Sequence, residues 1–264
     1  MNEEKKYALV TGASSGIGLA MSRELARRGY PLLLVSNEEE KLVESAADTG
    51  KTFNVQTVPL YMDLAQRDSA GKIFDYMKEN NIEAEILVNN AGIFFFRDVA
   101  NTTSERIETV INLHILTPTL LSRFFVQQAK GGGHILNMAS IAAWMMMPGL
   151  TFYNATKSYL RCFSRAMRNE AYKQDINITT VCPGAVATGL YGLAPRYMKL
   201  GMRLGIILSP ERLAVKALNR MFRKKAEYIP GGFLNRFFIG IVISLPEWLI
   251  RRIKKKIDVR LSQK

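Results

Sequence analysis

Short apolar runs alternate along this chain with longer stretches in which apolar residues recur every three or four positions. The apolar runs predict strands near 7–11, 31–36, 54–60, 86–89, 133–139, 177–182 and 227–229. Helical periodicity fills the gaps, at about 16–29, 38–48, 66–80, 103–129, 151–174 and 209–225. Apolar strands that alternate with helices imply an α/β fold, a doubly wound parallel sheet covered on both faces. In such a sheet ligands bind beyond the carboxyl ends of the strands, where the strand order reverses. Residues 1–232 read as one domain without internal repeat, low-complexity tract or linker. Within it, the Gly-, Met- and Leu-rich stretch 185–208 breaks the alternation. Residues 233–264 read as a basic amphipathic extension.

Two motifs carry chemistry. The first strand runs directly into Thr11-Gly-Ala-Ser-Ser-Gly-Ile-Gly18 and then into a helical pattern that ends at Gly29. Strand, glycine turn and helix in that order suit a dinucleotide. Gly12 allows the tight turn, Gly16 lets the backbone approach a pyrophosphate, and Gly18 permits close helix–strand packing. The helix then presents free N–H groups and a partial positive charge to the phosphates. The second motif is Ser140, Tyr153 and Lys157. A Tyr and a Lys at i and i+4 share a helix face, and a fixed ammonium lowers the pKa of a phenol towards the working pH. Such a phenol exchanges a proton with a carbonyl or hydroxyl oxygen, while Ser140 donates to that oxygen as charge develops.

With both motifs the chain resembles the short-chain dehydrogenase/reductase family over nearly all of residues 5–232. The G-x-x-x-G-x-G spacing of Gly12, Gly16 and Gly18 is the family's own variant. Further matches are Asn89-Asn90-Ala91-Gly92 after the fourth strand, Asp63 after the third, Asn112, and Pro183-Gly184 with Thr188. The resemblance implies a catalytic set of Asn112, Ser140, Tyr153 and Lys157. Tyr153 is then the acid/base, Lys157 lowers its pKa and holds the nicotinamide ribose, and Asn112 holds a water of a proton relay. It also implies a dinucleotide site made by Gly12, Ser14, Ser15, Gly16, Ile17, Gly18, Ser36, Asn37, Asp63, Leu64, Asn90, Ala91, Gly92, Tyr153, Lys157, Pro183, Gly184, Val186 and Thr188. The 185–208 stretch corresponds to the family's substrate lid. Phe94 to Phe96 and Met145 to Met147 are placed to line the cleft or to pack in the core, and in the cleft they suit a bulky apolar substrate.

An acidic residue after the second strand favours NAD and repels a 2′-phosphate. Ser36 stands there instead, followed by Asn37, so NADP(H) is favoured over NAD(H). Glu38, Glu39 and Glu40 read as the solvated first turn of a helix, where the dipole suits them. The expected activity interconverts a carbonyl and a secondary alcohol on an apolar molecule, a hydroxysteroid or a 3-oxoacyl chain from the resemblance. The alternative is a cofactor-binding membrane-surface or scaffold protein with vestigial chemistry, whose sign would be a damaged catalytic set. The family resemblance also implies a homodimer or homotetramer.

Composition refines this picture. MNEEKK enters the first strand with no apolar leader, so a cytoplasmic protein is expected. Cys162 and Cys182 are too few for a disulfide framework and read as buried thiols. His114 and His134 lack metal-ligand spacing and read as packing residues, so no metal is expected. The net charge of +13 lies entirely after residue 195, where 17 basic residues face 4 acidic ones. No nucleic-acid-binding motif accompanies that charge. It is interleaved instead with FFIGIVISLPEWLI, too short to span a bilayer that needs about 20 apolar residues. A helix packed on the lid or a second subunit, a monotopic interfacial helix, and a true span all remain open for this segment.

Overall fold

The structure, a computed structural model, describes residues 6–188 apart from 130 and 146, residues 207–231, and residues 237–262 apart from 238 and 242, with single positions 196 and 202. Seven parallel strands run β1 Tyr7–Thr11, β2 Leu32–Ser36, β3 Thr57–Tyr61, β4 Ala84–Asn89, β5 Gly133–Met138, β6 Ile176–Val181 and β7 Glu227–Tyr228. The sheet order is β3-β2-β1-β4-β5-β6-β7, so the order reverses between β1 and β4. The helices are α1 Gly16–Arg27, α2 Glu39–Phe53, α3 Ser69–Glu79, α4 Ser104–Ile111, α5 Thr117–Gln128, α6 Thr151–Glu170, α7 Pro210–Phe222 and α8 Glu247–Ser262.

Strand alternation builds two cores. Ala8 and Val10 of β1 face α1, α2 and α7, where Met21, Leu25, Leu42 and Leu218 are buried. Leu9, between them, faces α3, α5 and α6 with Ile73, Leu121, Phe125 and Met167. Successive strand side chains point to opposite faces, and here both faces are covered, so every β2 residue is buried.

The structure corrects three expectations. The helix expected over 103–129 is divided by a π-helical segment, Asn112–Leu116, which joins α4 to α5. Its length and mean hydropathy of 1.2 would suit a membrane, yet Leu121 and Phe125 pack into the sheet's core. The α6 pattern ends in a 3₁₀ turn, Ala171–Gln174, and Asp175 then takes a left-handed conformation. Cys162 is exposed rather than buried, because the buried stripe of α6 runs through Tyr153, Thr156, Lys157, Leu160, Ser164 and Met167. Cys182 is buried, and desolvation pushes its thiol up to about 12. Most of the 185–208 stretch, and the positions Met146, Phe238 and Val242, lie outside the described residues.

Candidate active site

The glycine turn is shaped by contacts that leave no room for side chains. Gly12 has φ +64°, and a Cβ there would sit 2.9 Å from the Ala91 Cα. At Gly18 a Cβ would be 2.0 Å from the Gly12 carbonyl oxygen, which explains why α1 can start so close to β1. Gly16 has φ +56°, and a Cβ there would lie 3.2 Å from the Thr188 methyl. The loop after β6 therefore closes over the glycine turn. Thr11 Oγ1 donates to the Val88 carbonyl at 3.2 Å and accepts from the Asn90 and Ala91 amides at 3.0 and 3.1 Å. Asn90 Nδ2 donates back to the Thr11 carbonyl at 3.0 Å. These bonds lock the switch point between β1 and β4. The α1 N-terminus has no side-chain cap and no acidic residue in its first turn, leaving its N–H groups for an anion. A glycine cradle at this place fits the phosphates of a dinucleotide.

At the carboxyl end of β2, Ser36 Oγ donates to Ser14 Oγ at 2.9 Å, and Ser14 Oγ donates to Glu38 Oε2 at 2.7 Å. Glu38 also pairs closely with Lys41. Bonds from Lys41 and then Ser14 hold its carboxyl below the usual range. Glu38 stands at the N-cap with 40% of its side chain exposed and bends back to Ser14, while Glu39 and Glu40 are the exposed pair of the first turn. Ser14 is the hydroxyl that donates to the carboxylate, while Ser36 Oγ accepts from the Glu38 amide at 3.3 Å. Ser15 and Asn37 are exposed, and Ile17 packs on the first core. Asp63 caps its own turn, accepting from the Ala65 amide at 3.0 Å, while Leu64 is buried. Val186 is buried, bridged to Leu208, and Gly184 lies beside Ile141.

The catalytic candidates converge at the carboxyl end of β5. Tyr153, Lys157 and Ser140 are all buried, at 7%, 5% and 6% exposure. Lys157 Nζ donates to the Met138 carbonyl at 2.9 Å and lies 5.7 Å from the Tyr153 ring centroid. Burial pushes the Lys157 ammonium down to about 8. Ser140 Oγ accepts from the Ala142 amide at 3.1 Å and reaches the Pro183 carbonyl at 3.5 Å. Asn112 begins the π-helical segment, and its Nδ2 donates to the Ala65 carbonyl at 2.9 Å. A π-turn of this kind commonly marks a functional position. Of the aromatics, Phe94 meets Tyr153 edge-on at 5.1 Å and so lines the site.

Two supports were invisible in the sequence. His114 is buried, with Nε2 accepting from the Ile93 amide at 3.0 Å. Nδ1 therefore carries the proton and faces Thr156 Oγ1 at 3.0 Å, and Thr156 in turn donates to the Tyr153 carbonyl at 3.1 Å. Desolvation, then the Lys157 charge, hold this imidazole well below 6.5 and neutral. The second support is a polar chain. Asn89 Nδ2 donates to Asn137 Oδ1, and Asn137 Nδ2 donates to Ser164 Oγ, each at 2.8 Å. It fixes α6 against β4 and β5, and so fixes the depth of Tyr153 and Lys157.

The model of the short chain dehydrogenase family matches residues 6–197. The very-long-chain 3-oxoacyl-CoA reductase-A of Danio rerio is 36% identical over 190 residues, covering 69% of this chain and 59% of that protein. Hydroxysteroid dehydrogenase-like protein 1 of Gallus gallus is 30% identical over 251 residues, covering 92% of this chain and 73% of its own. Among solved structures, a short-chain dehydrogenase from Sphingobium yanoikuyae in complex with NADPH superposes with a TM-score of 0.75 at 27% identity, covering 91% of this chain and 96% of that one. Glycine turn, buried Ser–Tyr–Lys set and family match agree, and the chain belongs to the short-chain dehydrogenase family.

Proposed function

We propose that this protein is an NADP(H)-dependent oxidoreductase that interconverts a carbonyl and a secondary alcohol on a large apolar substrate, a 3-oxoacyl thioester or a hydroxysteroid. The observation that carries the reading is the convergence of Tyr153, Lys157 and Ser140, buried together beside the glycine cradle. The names of the two relatives, a long-chain oxoacyl reductase and a hydroxysteroid dehydrogenase-like protein, support the substrate class. The dinucleotide would be held by Gly12, Gly16, Gly18, Asn90 and Thr188, and when bound it supplies or accepts the hydride.

The chain's own part is proton handling and orientation. The Tyr153 hydroxyl gives its proton to the substrate oxygen in reduction and takes it back in oxidation. Lys157, protonated below about 8, favours the phenolate that this transfer leaves. Ser140 donates to the same oxygen and fixes its distance from Tyr153. The half-buried ring of Phe94 packs edge-on against the ring of Tyr153 and covers that side of it. A screen of NADPH oxidation against long-chain 3-oxoacyl thioesters, ketosteroids and simple aldehydes tests the reading. Tyr153→Phe should fold normally and lose about 10²- to 10⁴-fold in turnover. A variant within a few-fold of wild type refutes the mechanism.

A second reading concerns the extension, which we infer attaches the enzyme to anionic membrane surfaces without crossing them. Phe237, Ile241, Ile243 and Trp248 are exposed, and Arg251, Arg252 and Lys255 follow them in solvent. Each such cation contributes about 1 kcal/mol near an anionic leaflet, and salt weakens the attraction. Full-length protein should cosediment with anionic liposomes, and reversing Arg251, Arg252 and Lys255 to Glu should weaken this. Protein that stays in the supernatant at every lipid composition would sink the idea.

A further inference from the structure

The C-terminal extension touches the catalytic domain on both sides of the candidate site. On the Ser140 side, Ile239 is buried against Ala139, Cys182 and Ile229, with Ile141 and Trp144 packed alongside. On the Tyr153 side, Lys254 Nζ donates to Asp98 Oδ2 at 2.9 Å. Asp98 belongs to a loop that is itself fixed on the site. Phe94 of that loop packs on Tyr153, and the Arg97 amide donates to the Gly149 carbonyl at 2.8 Å. At Gly149 a Cβ would run into the Phe96 ring at 2.4 Å, so the two loops interlock.

We propose that residues 239–241 and 243–254 form a strap across the mouth of the substrate cleft, and that the Lys254–Asp98 ion pair is the positioning contact that holds it. A strap anchored at both ends would close over the tail of a long apolar substrate and leave the reacting carbonyl to Tyr153 and Ser140. This rests on the reading of the site as a carbonyl reductase. Lys254 is mostly covered, with 18% of its side chain exposed, and Asp98 is 43% exposed. The pair is therefore screened less by salt than a fully solvated one. The Arg251–Glu247 pair on the same helix, at 77% and 84% exposure, is a solvated counterpart and serves as the control.

The variants are Lys254→Met, Asp98→Asn, the charge-swapped double Lys254→Asp with Asp98→Lys, and Arg251→Gln. With NADPH and a long-chain 3-oxoacyl thioester, either single variant at the ion pair should raise KM about fivefold with little change in kcat. The swapped double should recover most of that loss, and Arg251→Gln should leave KM unchanged. A second readout needs no turnover. The chain has two tryptophans, so Trp248→Phe leaves Trp144 under the strap as the lone emitter. In that background Lys254→Met should make Trp144 more accessible to acrylamide quenching. Unchanged quenching overturns the strap, and increased quenching with unchanged KM overturns its positioning role. Wild-type protein inactive on every thioester and ketosteroid defeats the functional reading instead, while the quenching measurement still decides the strap.

Discussion

Replacing Lys157 by Met should stabilise the protein while removing its activity. Lys157 is buried, and its pKa is lowered from 10.5 to about 8, chiefly by desolvation. At neutral pH that difference corresponds to about 3 kcal/mol of stability lost by keeping a charge in the interior. Methionine removes the charge but gives up the hydrogen bond to the Met138 carbonyl, which costs about 1 kcal/mol. The net gain is about 2 kcal/mol at pH 7, or about 4–8 °C in Tm for a chain of this size. The sign fixes the pH dependence. Between about 8 and 10.5 the unfolded chain binds the proton and the folded chain does not, so wild-type stability rises with pH there. The variant lacks that rise, and the two stability curves should meet near about pH 10. Urea unfolding of cofactor-free protein across this range measures both slopes, and turnover is followed by NADPH oxidation. A variant less stable than wild type at pH 7, or a stability gap independent of pH, would refute the argument. Either result would mean that Lys157 is not a desolvated cation.

Two further outcomes follow from the geometry. Glu38→Gln removes a carboxylate held beside Ser14 and Ser36, so NADPH affinity should rise about fivefold while NADH affinity changes little. Calorimetric titration decides this, and the companion Ser36→Asp should narrow any preference for NADPH; tighter NADH binding by the native protein would contradict the cofactor assignment. His114→Leu leaves the Ile93 amide without its acceptor and should cost about 1–3 kcal/mol of stability at neutral pH. Because folding keeps His114 neutral and well below 6.5, wild-type stability should fall as pH drops through that value, and the variant should lose this share of the acid sensitivity. An identical acid profile in the two proteins would show that His114 titrates freely.

The sheet and its parallel sense were legible in the residues. A strand buried on both faces reads as a near-continuous apolar run, as Leu32 to Val35 does, all four residues being buried. The glycine positions were legible for the same kind of reason, since at Gly12 and Gly18 only a hydrogen fits against Ala91 and the Gly12 carbonyl. Ser140, Tyr153 and Lys157 stood out by their spacing, and the structure buries all three. What the sequence left open depends on contacts between residues far apart in the chain. His114 looks like any helical histidine until folding places it between the Ile93 amide and Thr156. Glu38 looks like any acid at a helix start until folding brings Ser14, 24 positions away, to donate to it. The extension's fate turned on Asp98, 156 positions from Lys254, because local periodicity states which face of a helix is apolar and not what that face will meet.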